Sequence, residues 1–140
     1  MMTNWLLVLG SNVDGQMQLC KAVSRLKTLG EVRVLVKPIT TVAEPPGSPA
    51  YCNGLVVLCT DVADLSTLDT ALKAIEAALG RDRSQSDRVA MDIDVLALGV
   101  AGGWQLTCPA RSKADLAKTY VSTLLQAAGV MVVEGIPPSP

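Results

Sequence analysis

Trp5-Leu6-Leu7-Val8-Leu9, followed by Gly10-Ser11-Asn12, is the stretch of this 140-residue chain that decides the fold. A short continuous apolar run closed by turn-forming residues is typical of a strand that is buried on both faces. The sequence therefore predicts a central strand here, with other elements packed on either side of it.

A helix and a second strand follow this run. The helix is indicated by apolar residues at helical spacing, with Gly30 as the expected end. These residues are Leu19, Ala22, Val23, Leu26 and Leu29. Val32, Val34 and Val36 then alternate with charged residues, which predicts a strand with one face in water.

The same order repeats further along the chain. Residues 43–50 hold three prolines and a glycine, which predicts a loop, and residues 54–60 form a second buried strand. Ser66 and Asp69 resemble a capping box at the start of a helix that Gly80 ends. Its apolar face consists of Leu68, Ala71, Leu72, Ile75, Ala78 and Leu79.

The remaining elements complete the predicted fold. Strands are expected over 91–98, over 104–108 after a turn at Gly102-Gly103, and over 130–133. A last helix is expected to carry Leu116, Tyr120, Leu124 and Ala128, with residues 112–115 as its predicted cap. This order predicts an α+β, ferredoxin-like βαββαβ fold: a mostly antiparallel sheet with helices on one face, plus a C-terminal helix and strand. We expect one domain over 1–134 and a flexible tail over 135–140.

Composition excludes several classes of function. The chain has no histidine, which rules out Ser-His-Asp and Cys-His catalysis and every zinc site that contains histidine. Its net charge of −1 gives no general attraction to nucleic acid. No stretch approaches the ~20 apolar residues of a membrane helix, so we expect no membrane partner and a cytoplasmic location. The four cysteines are expected to be reduced thiols.

Asp92 and Asp94 are the first candidates for chemistry. Side chains alternate along a strand, so both carboxylates lie on one face, roughly 6–7 Å apart between Cα atoms. Hard oxygen ligands of this kind suit Mg²⁺, which commonly uses one or two carboxylates together with substrate phosphates. The pattern alone leaves a second interpretation open, in which the two residues are simply on a wet face near a sheet edge.

Two further groups of residues favour a ligand site. Arg81, Arg83 and Arg88 come shortly before the carboxylates, and guanidinium groups beside metal-holding carboxylates suit a polyphosphate. Tyr51 and Asn53 are two residues apart and share a strand face, where a ring and an amide suit a flat heterocycle. Taken separately, the arginines fit a solvated loop, and the tyrosine and asparagine fit a structural role.

Five motifs in this order resemble the hydroxymethyl-dihydropterin pyrophosphokinase family of folate biosynthesis. They are Leu9-Gly-Ser-Asn12, Glu44-Pro-Pro-Gly47, Tyr51-Cys-Asn53, Ile75-Glu-Ala-Ala-Leu-Gly-Arg-Asp-Arg83 and Asp92-Ile-Asp-Val-Leu96. The resemblance implies a ferredoxin-like fold with ATP as co-substrate. The implied reaction transfers the pyrophosphoryl group of ATP to the hydroxymethyl oxygen of a pterin and releases AMP.

The resemblance also implies roles for individual residues. Asp92 and Asp94 would hold two Mg²⁺ ions. The nucleotide would be contacted by Glu76, Arg81, Arg83 and Arg111, with Arg81, Arg83 and Arg88 as the catalytic arginines. The pterin would be bound by Glu44, Pro45, Pro46, Tyr51, Asn53 and Tyr120.

The chain departs from the family pattern in its loops. The loop before Asp92 is shorter than in the family, and only Arg88 stands in for its arginine. Ala110 occupies the position of a family histidine, and Arg111 follows it. A divergent pterin or nucleotide binder with weak, altered or no catalysis is therefore the alternative. A ferredoxin-like module for RNA or metal is a third hypothesis, on fold analogy alone.

Overall fold

The structure, a computed structural model, describes residues 2–41, 50–85, 88–100, 103–106, 118–130 and 132–133. Within these ranges the elements are β1 (Thr3–Ser11), α1 (Gly15–Leu26), β2 (Glu31–Thr41), β3 (Tyr51–Thr60), α2 (Leu65–Ala78), β4 (Asp92–Val100), β5 (Gly103–Leu106), α3 (Thr119–Ala128) and β6 (Val132–Val133). No helix in this part of the chain is long and apolar enough to cross a membrane.

The strands form one sheet in the order β2-β3-β1-β4-β5-β6. All neighbours are antiparallel except β5 and β6, which run parallel. β1 lies inside the sheet, and its residues from Trp5 to Leu9 are all buried, as the continuous apolar run predicts. The predicted α+β, ferredoxin-like fold with a mostly antiparallel sheet is therefore confirmed.

Each face of the sheet has its own apolar cluster. On one face, which we call the α1/α2 face, Leu19 and Leu26 of α1 and Leu72 of α2 pack against β1, β3 and β4. On the opposite α3 face, Leu124 and Val121 of α3 pack against the other side of the same strands. The two helices of the ferredoxin-like unit share one face as predicted, and the C-terminal helix covers the other.

The start of α2 differs from the prediction. The N-cap is Asp64 and not Ser66: the carboxylate of Asp64 accepts hydrogen bonds from the backbone N–H of Thr67 at 2.9 Å and from its hydroxyl at 2.8 Å. Asp69, the expected partner in the capping box, instead forms an ion pair with Lys73 at 3.3 Å. The cap lies earlier because Asp64 is the extended residue before the first helical turn.

The end of α1 also differs. Predicted to run to Gly30, the helix ends at Leu26 and is followed by a short turn. Gly30 is not in the left-handed conformation of a helix-ending glycine. It is a glycine because a Cβ there would lie 2.1 Å from the carbonyl oxygen of Cys59 in β3.

β2 is an edge strand and does not keep the predicted alternation. Val34 pairs with Val56 while Val36 pairs with Leu55, so Leu35 is an extra residue in β2. The bulge turns Val36 to the α3 face, where it packs against the apolar cluster together with Leu35, while Val34, before the bulge, is 47% exposed. The prediction of one wet face is wrong for Val34.

The C-terminal elements agree in part with the expected ones. β5 contains the first three residues of the strand predicted over 104–108, and β6 lies inside the strand predicted over 130–133. The helix that carries Tyr120, Leu124 and Ala128 begins at Thr119. The proposed cap over 112–115 and the tail over 135–140 lie outside the described residues.

Candidate functional site

Asp92 and Asp94 lie on the α3 face of β4 and are both partly exposed. In the register of the sheet, Asp92 is opposite Gly10 of β1, and Gly10 is opposite Asn53 of β3. Asp94 is opposite Val8, one step nearer the apolar cluster. The sheet thus places Asn53 and Asp92 in one row across three strands, with Asp94 in a nearby row. Both aspartates lie on the same face of β4, as alternation along the strand predicts.

The simple alternation that places both aspartates on one face of β4 is interrupted after Val95. A register shift between Leu6 and Leu7 of β1 leaves Leu96 as an extra residue in β4. Ala97 therefore joins Leu96 in the cluster on the α3 face, and Leu98 packs on the α1/α2 face instead of beside the carboxylates.

Gly10 forms the floor between the asparagine and the carboxylates. A Cβ at this position would lie 3.0 Å from Oδ1 of Asn53 and 3.7 Å from Cδ1 of Tyr51. A side chain here would press on both residues, so glycine keeps this part of the α3 face open. The sequence predicts Gly10 only as the end of a strand. Its position between Asn53 and Asp92 depends on the register of three strands, which the sequence of one strand does not reveal.

Tyr51 is electrostatically connected to the carboxylate side of the site. Burial is the main cause that raises the pKa of its phenol, and the negative charge of Asp92 raises that pKa further. The positive charges of Arg81 and Lys118 act in the opposite direction. The phenol of Tyr51 therefore lies within electrostatic range of an acid and two cations.

Lys118 and Tyr120 bring the start of α3 to the same region. The Nζ atom of Lys118 is 6.0 Å from the centre of the Tyr120 ring, at the outer limit of a cation–π contact. Tyr120 is partly buried against the cluster on the α3 face. Lys118 was not among the predicted site residues; its position two residues before Tyr120 was the only available signal.

The end of α2 aims Arg81 at the carboxylates. Gly80 has a φ of 98°, and the backbone N–H groups of Gly80 and Arg81 donate to the carbonyls of Ala77 and Glu76 at 3.1 and 3.0 Å. These are the two hydrogen bonds of a Schellman motif, and they confirm Gly80 as the end of the helix. Arg81 follows at a defined position.

The guanidinium of Arg81 contacts the start of β4. Its Nη1 atom donates to the carbonyl of Met91 at 3.1 Å and lies 3.6 Å from Oδ1 of Asp92. Its Nε atom is buried and has no hydrogen-bond partner among the residues that the structure describes. The contact with Asp92 is longer than a charge-assisted hydrogen bond, so the carboxylate keeps capacity for another cation.

Glu76 lies beneath the site, on the α1/α2 face. The residue is 3% exposed, and its carboxylate accepts two hydrogen bonds at 2.8 Å, from Nη2 of Arg83 and from the backbone N–H of Ile93. The side chain of Arg83 is otherwise 58% exposed. Glu76 therefore joins α2 to β4 between the two aspartates and binds the guanidinium of an exposed arginine.

Arg88 is exposed, and the chain just after it is fixed by Asn12. The backbone N–H of Val89 donates to Oδ1 of Asn12 at 2.7 Å, and the N–H of Asn12 donates to the carbonyl of Val89 at 2.9 Å. The motif that ends β1 thus anchors the segment leading to Asp92. The predicted residues Glu44, Pro45, Pro46 and Arg111 lie outside the described residues.

The donor set fits a magnesium ion that shares its ligands with a substrate. Among the described residues, no three Asp, Glu, Cys or His side chains form a cluster that could hold a metal. Asp92 and Asp94 provide hard oxygen ligands on one face, and Mg²⁺ characteristically keeps waters and takes phosphate oxygens in addition to one or two carboxylates. The two aspartates suit that arrangement better than a metal cage built from protein alone.

A separate cavity of about 300 Å³ lies beside the start of α1. Its lining includes Ser11, Asp14, Thr40 and Cys52, but not the two aspartates. Cys52 packs on the α1/α2 face, and burial, followed by the nearby Cys20 thiol, raises the pKa of the Cys52 thiol. We therefore place the candidate site on the opposite side of the sheet, where the charged and polar groups converge.

Comparison with known proteins identifies a family for the chain. Residues 6–127 match the model of the 7,8-dihydro-6-hydroxymethylpterin-pyrophosphokinase (HPPK) family. Among individually curated proteins, none matches the chain significantly. The matched range contains the central strand from Leu6 onward, both helices of the α1/α2 face and every described residue of the site, and the chain therefore belongs to the HPPK family.

Proposed function

We propose that this protein is a pterin pyrophosphokinase of folate biosynthesis, as its family membership implies. The observation that carries the proposal is the row Asn53–Gly10–Asp92, which sets an amide beside a carboxylate pair across three adjacent strands. Such a row suits a substrate that is a flat heterocycle at one end and reacts with a metal-bound polyphosphate at the other.

The pterin would bind at the β3 end of this row. The amide of Asn53 can both donate and accept hydrogen bonds, as the edge of a pterin requires. Tyr51 and Tyr120 offer aromatic faces near Lys118, and the glycine at position 10 leaves room for a ring. Glu44, Pro45 and Pro46 remain proposed contacts on the family resemblance.

The ATP phosphates would bind at the β4 end. Asp92 and Asp94 would hold two Mg²⁺ ions, which when bound neutralise the phosphate charge. Arg81 is directed at this region, and Arg83 and Arg88 are exposed enough to reach phosphate oxygens. We add Lys118 as a cation on the side of α3, and we retain Arg111 as a nucleotide contact implied by the family.

The proposed reaction joins these two ends. The hydroxymethyl oxygen of the pterin forms a bond to the β-phosphorus of ATP, and the bond from that phosphorus to the oxygen bridging to the α-phosphorus breaks. AMP leaves with the bridging oxygen, and the hydroxyl proton passes to solvent. A loose phosphoryl transition state places little demand on a general base, so positioning and positive charge do most of the work.

A second candidate function is binding of the pterin or nucleotide without turnover. It is favoured by the engagement of two predicted catalytic arginines with carboxylates of the chain: Arg81 with Asp92 and Arg83 with Glu76. An enzyme would have to redirect these cations to phosphate when ATP binds. The two functions differ in one product, AMP.

The deciding experiment is AMP release from ATP, Mg²⁺ and hydroxymethyl-dihydropterin. We expect wild-type protein to release AMP in proportion to pterin consumed. Asp92→Asn and Asp94→Asn should each lower kcat by at least about a hundredfold, because each removes a charge that acts on the transferring group.

Asp61→Asn is the matched control. This exposed aspartate follows the far end of β3, and its loss should leave kcat unchanged. Saturable binding of the pterin with no AMP would favour the binding function. Wild-type rates in both Asp92→Asn and Asp94→Asn would reject the assignment of the metal ligands.

A further inference from the structure

Gln18 is a buried polar residue on α1 whose neighbours are apolar. It is 8% exposed, beside Leu19 in the cluster of the α1/α2 face. Its amide nitrogen donates two hydrogen bonds, to the carbonyl of Leu79 at 2.8 Å and to the carbonyl of Ala90 at 3.1 Å. One side chain therefore connects three segments of the chain.

The two acceptors of Gln18 are backbone groups that regular structure leaves without partners. Leu79 is the C-cap of α2, and the last carbonyls of a helix have no partner within the helix. Ala90 precedes β4 and lies outside the sheet register. The hydrogen bond to Ala90 is buried and the one to Leu79 is partly buried, so leaving either carbonyl unpaired would be costly.

The segment from Val89 to Met91 is buried but has no regular structure of its own. Groups from other elements replace the missing ladder. The N–H of Val89 donates to the side-chain Oδ1 of Asn12, the carbonyl of Val89 accepts from the backbone N–H of Asn12, and Arg81 donates to the carbonyl of Met91. Gln18 supplies the bond to Ala90 between them. The residue after this segment is Asp92.

We infer that Gln18 is a positioning residue for the carboxylate pair, and this inference rests on the proposed function. By holding Ala90 against the end of α2, it sets where β4 begins and thus where Asp92 and Asp94 present their oxygens. It also ties the carbonyl of Leu79 two residues before Arg81, so the arginine and the aspartates are positioned by the same amide. Groups that orient metal ligands typically contribute 10–100-fold to metal affinity.

A purely structural role makes a different prediction. If Gln18 only satisfied two backbone carbonyls, its loss would lower the stability of the fold. The affinities for the metal and for the pterin would then stay unchanged or fall by the same factor. A positioning role weakens the metal–nucleotide end selectively, because Tyr51 and Asn53 lie on β3, whose ladder partners are β1 and β2 and not the Val89–Met91 segment.

The test uses Gln18→Met, which preserves length and removes both donors. Mn²⁺ binding is measured by electron paramagnetic resonance at a saturating, non-transferable ATP analogue with a methylene between the α- and β-phosphates. Pterin affinity is measured calorimetrically under the same conditions. We expect Mn²⁺ affinity to fall by about 10–100-fold and pterin affinity to stay within about twofold.

Two further variants complete the experiment. Gln126→Met, at an exposed glutamine of α3, should bind Mn²⁺ and pterin as wild type does. Gln18→Asn keeps the amide but reaches only one of the two carbonyls, so its loss of Mn²⁺ affinity should be intermediate. It carries the test if Gln18→Met does not fold.

The inference is overturned if Gln18→Met and Gln18→Asn bind Mn²⁺ like wild type, or if metal and pterin affinities fall by the same factor. It is also overturned if wild-type protein with the analogue binds no Mn²⁺. Failure of the proposed function is a separate result: wild type binds Mn²⁺ and pterin but releases no AMP from ATP. In that case the Gln18 variants still decide the positioning role.

Discussion

Tyr51 reports on the geometry of the whole site because three charged groups act on its phenol. Burial and Asp92 raise its pKa, while Arg81 and Lys118 lower it. These charges come from three different elements or connections: β4, the end of α2 and the start of α3. A titration of one side chain therefore tests whether the acid and the cations converge.

We predict that Asp92→Asn lowers the pKa of Tyr51 and that Lys118→Met raises it, since each removes one of these charges. The measurement is phenolate absorbance against pH in a Tyr120→Phe background, where Tyr51 is the remaining tyrosine. Because the folded pKa is raised above 10.0, the neutral phenol stabilises the fold at lower pH. That contribution is lost as pH rises through the folded value.

Asp61→Asn is the control for this titration, because Asp61 follows the opposite end of β3. It should leave the Tyr51 curve unchanged. Equal curves for wild type, Asp92→Asn and Lys118→Met would contradict the arrangement of the three elements around the phenol.

For individual residues, the sequence predicts those whose role follows from their own strand or helix. It does not predict those whose role depends on a neighbouring element. The shared face of Asp92 and Asp94 follows from alternation along a single strand. The positions of Gly10 and Lys118 do not, because each depends on a neighbouring element. Glu76 was proposed as a nucleotide contact, and the structure gives its carboxylate two partners within the protein.

Among the elements, the sequence predicted those with strong periodicity. β1, α2 and β4 were found from apolar runs and helical spacing, and Gly80 was found as a helix end. The bulges at Leu35 and Leu96 were missed because an extra residue is defined only relative to the strand beside it. The same bulges decide which of the following residues face each cluster.

The N-cap of α2 makes a prediction about pH. Hydrogen bonds from the hydroxyl and then the backbone N–H of Thr67 lower the pKa of Asp64 below its ordinary 3.8. A lowered pKa stabilises the fold above that value, and the contribution disappears as pH falls through the folded value. Asparagine caps a helix about as well but carries no charge at any pH.

We therefore expect wild type to be more stable than Asp64→Asn near neutral pH, with the difference shrinking below the ordinary pKa of aspartate. Urea midpoints at neutral pH and at about pH 2.5 measure this. Thr67→Val is the control: it removes the hydroxyl bond, so the pH dependence attributable to Asp64 should become smaller. A difference that does not vary with pH would contradict the assignment of the cap.

For the whole molecule, the sheet separates support from binding. Its α1/α2 face carries Gln18 and Glu76, which hold the start of β4 through backbone groups. Its α3 face carries Tyr51, Asn53 and the aspartates, with Lys118 at the edge. The side chains of the candidate site and the side chains that hold the start of β4 in place thus lie on opposite faces of one sheet.

The last prediction concerns coupling between metal and nucleotide. Asp92 and Asp94 alone do not complete the coordination sphere of Mg²⁺, and no third carboxylate or thiol joins them among the described residues. The guanidinium of Arg81 also lies 3.6 Å from the carboxylate of Asp92. Metal binding to the free protein must compete with that cation, whereas phosphate both supplies oxygens and offers Arg81 another partner. We therefore expect a saturating non-transferable ATP analogue to raise Mn²⁺ affinity by at least about tenfold.

Linkage provides an internal check on this coupling, because Mn²⁺ must raise the affinity for the analogue by the same factor. Calorimetry in both directions measures the two factors independently. Arg81→Met should reduce the factor by which the analogue raises Mn²⁺ affinity. The substitution removes the competing cation and so strengthens Mn²⁺ binding to the free protein. Mn²⁺ binding that is equally tight with and without the analogue would mean that the chain completes the coordination sphere by itself. The aspartates would then form a resident metal site rather than one assembled with its substrate.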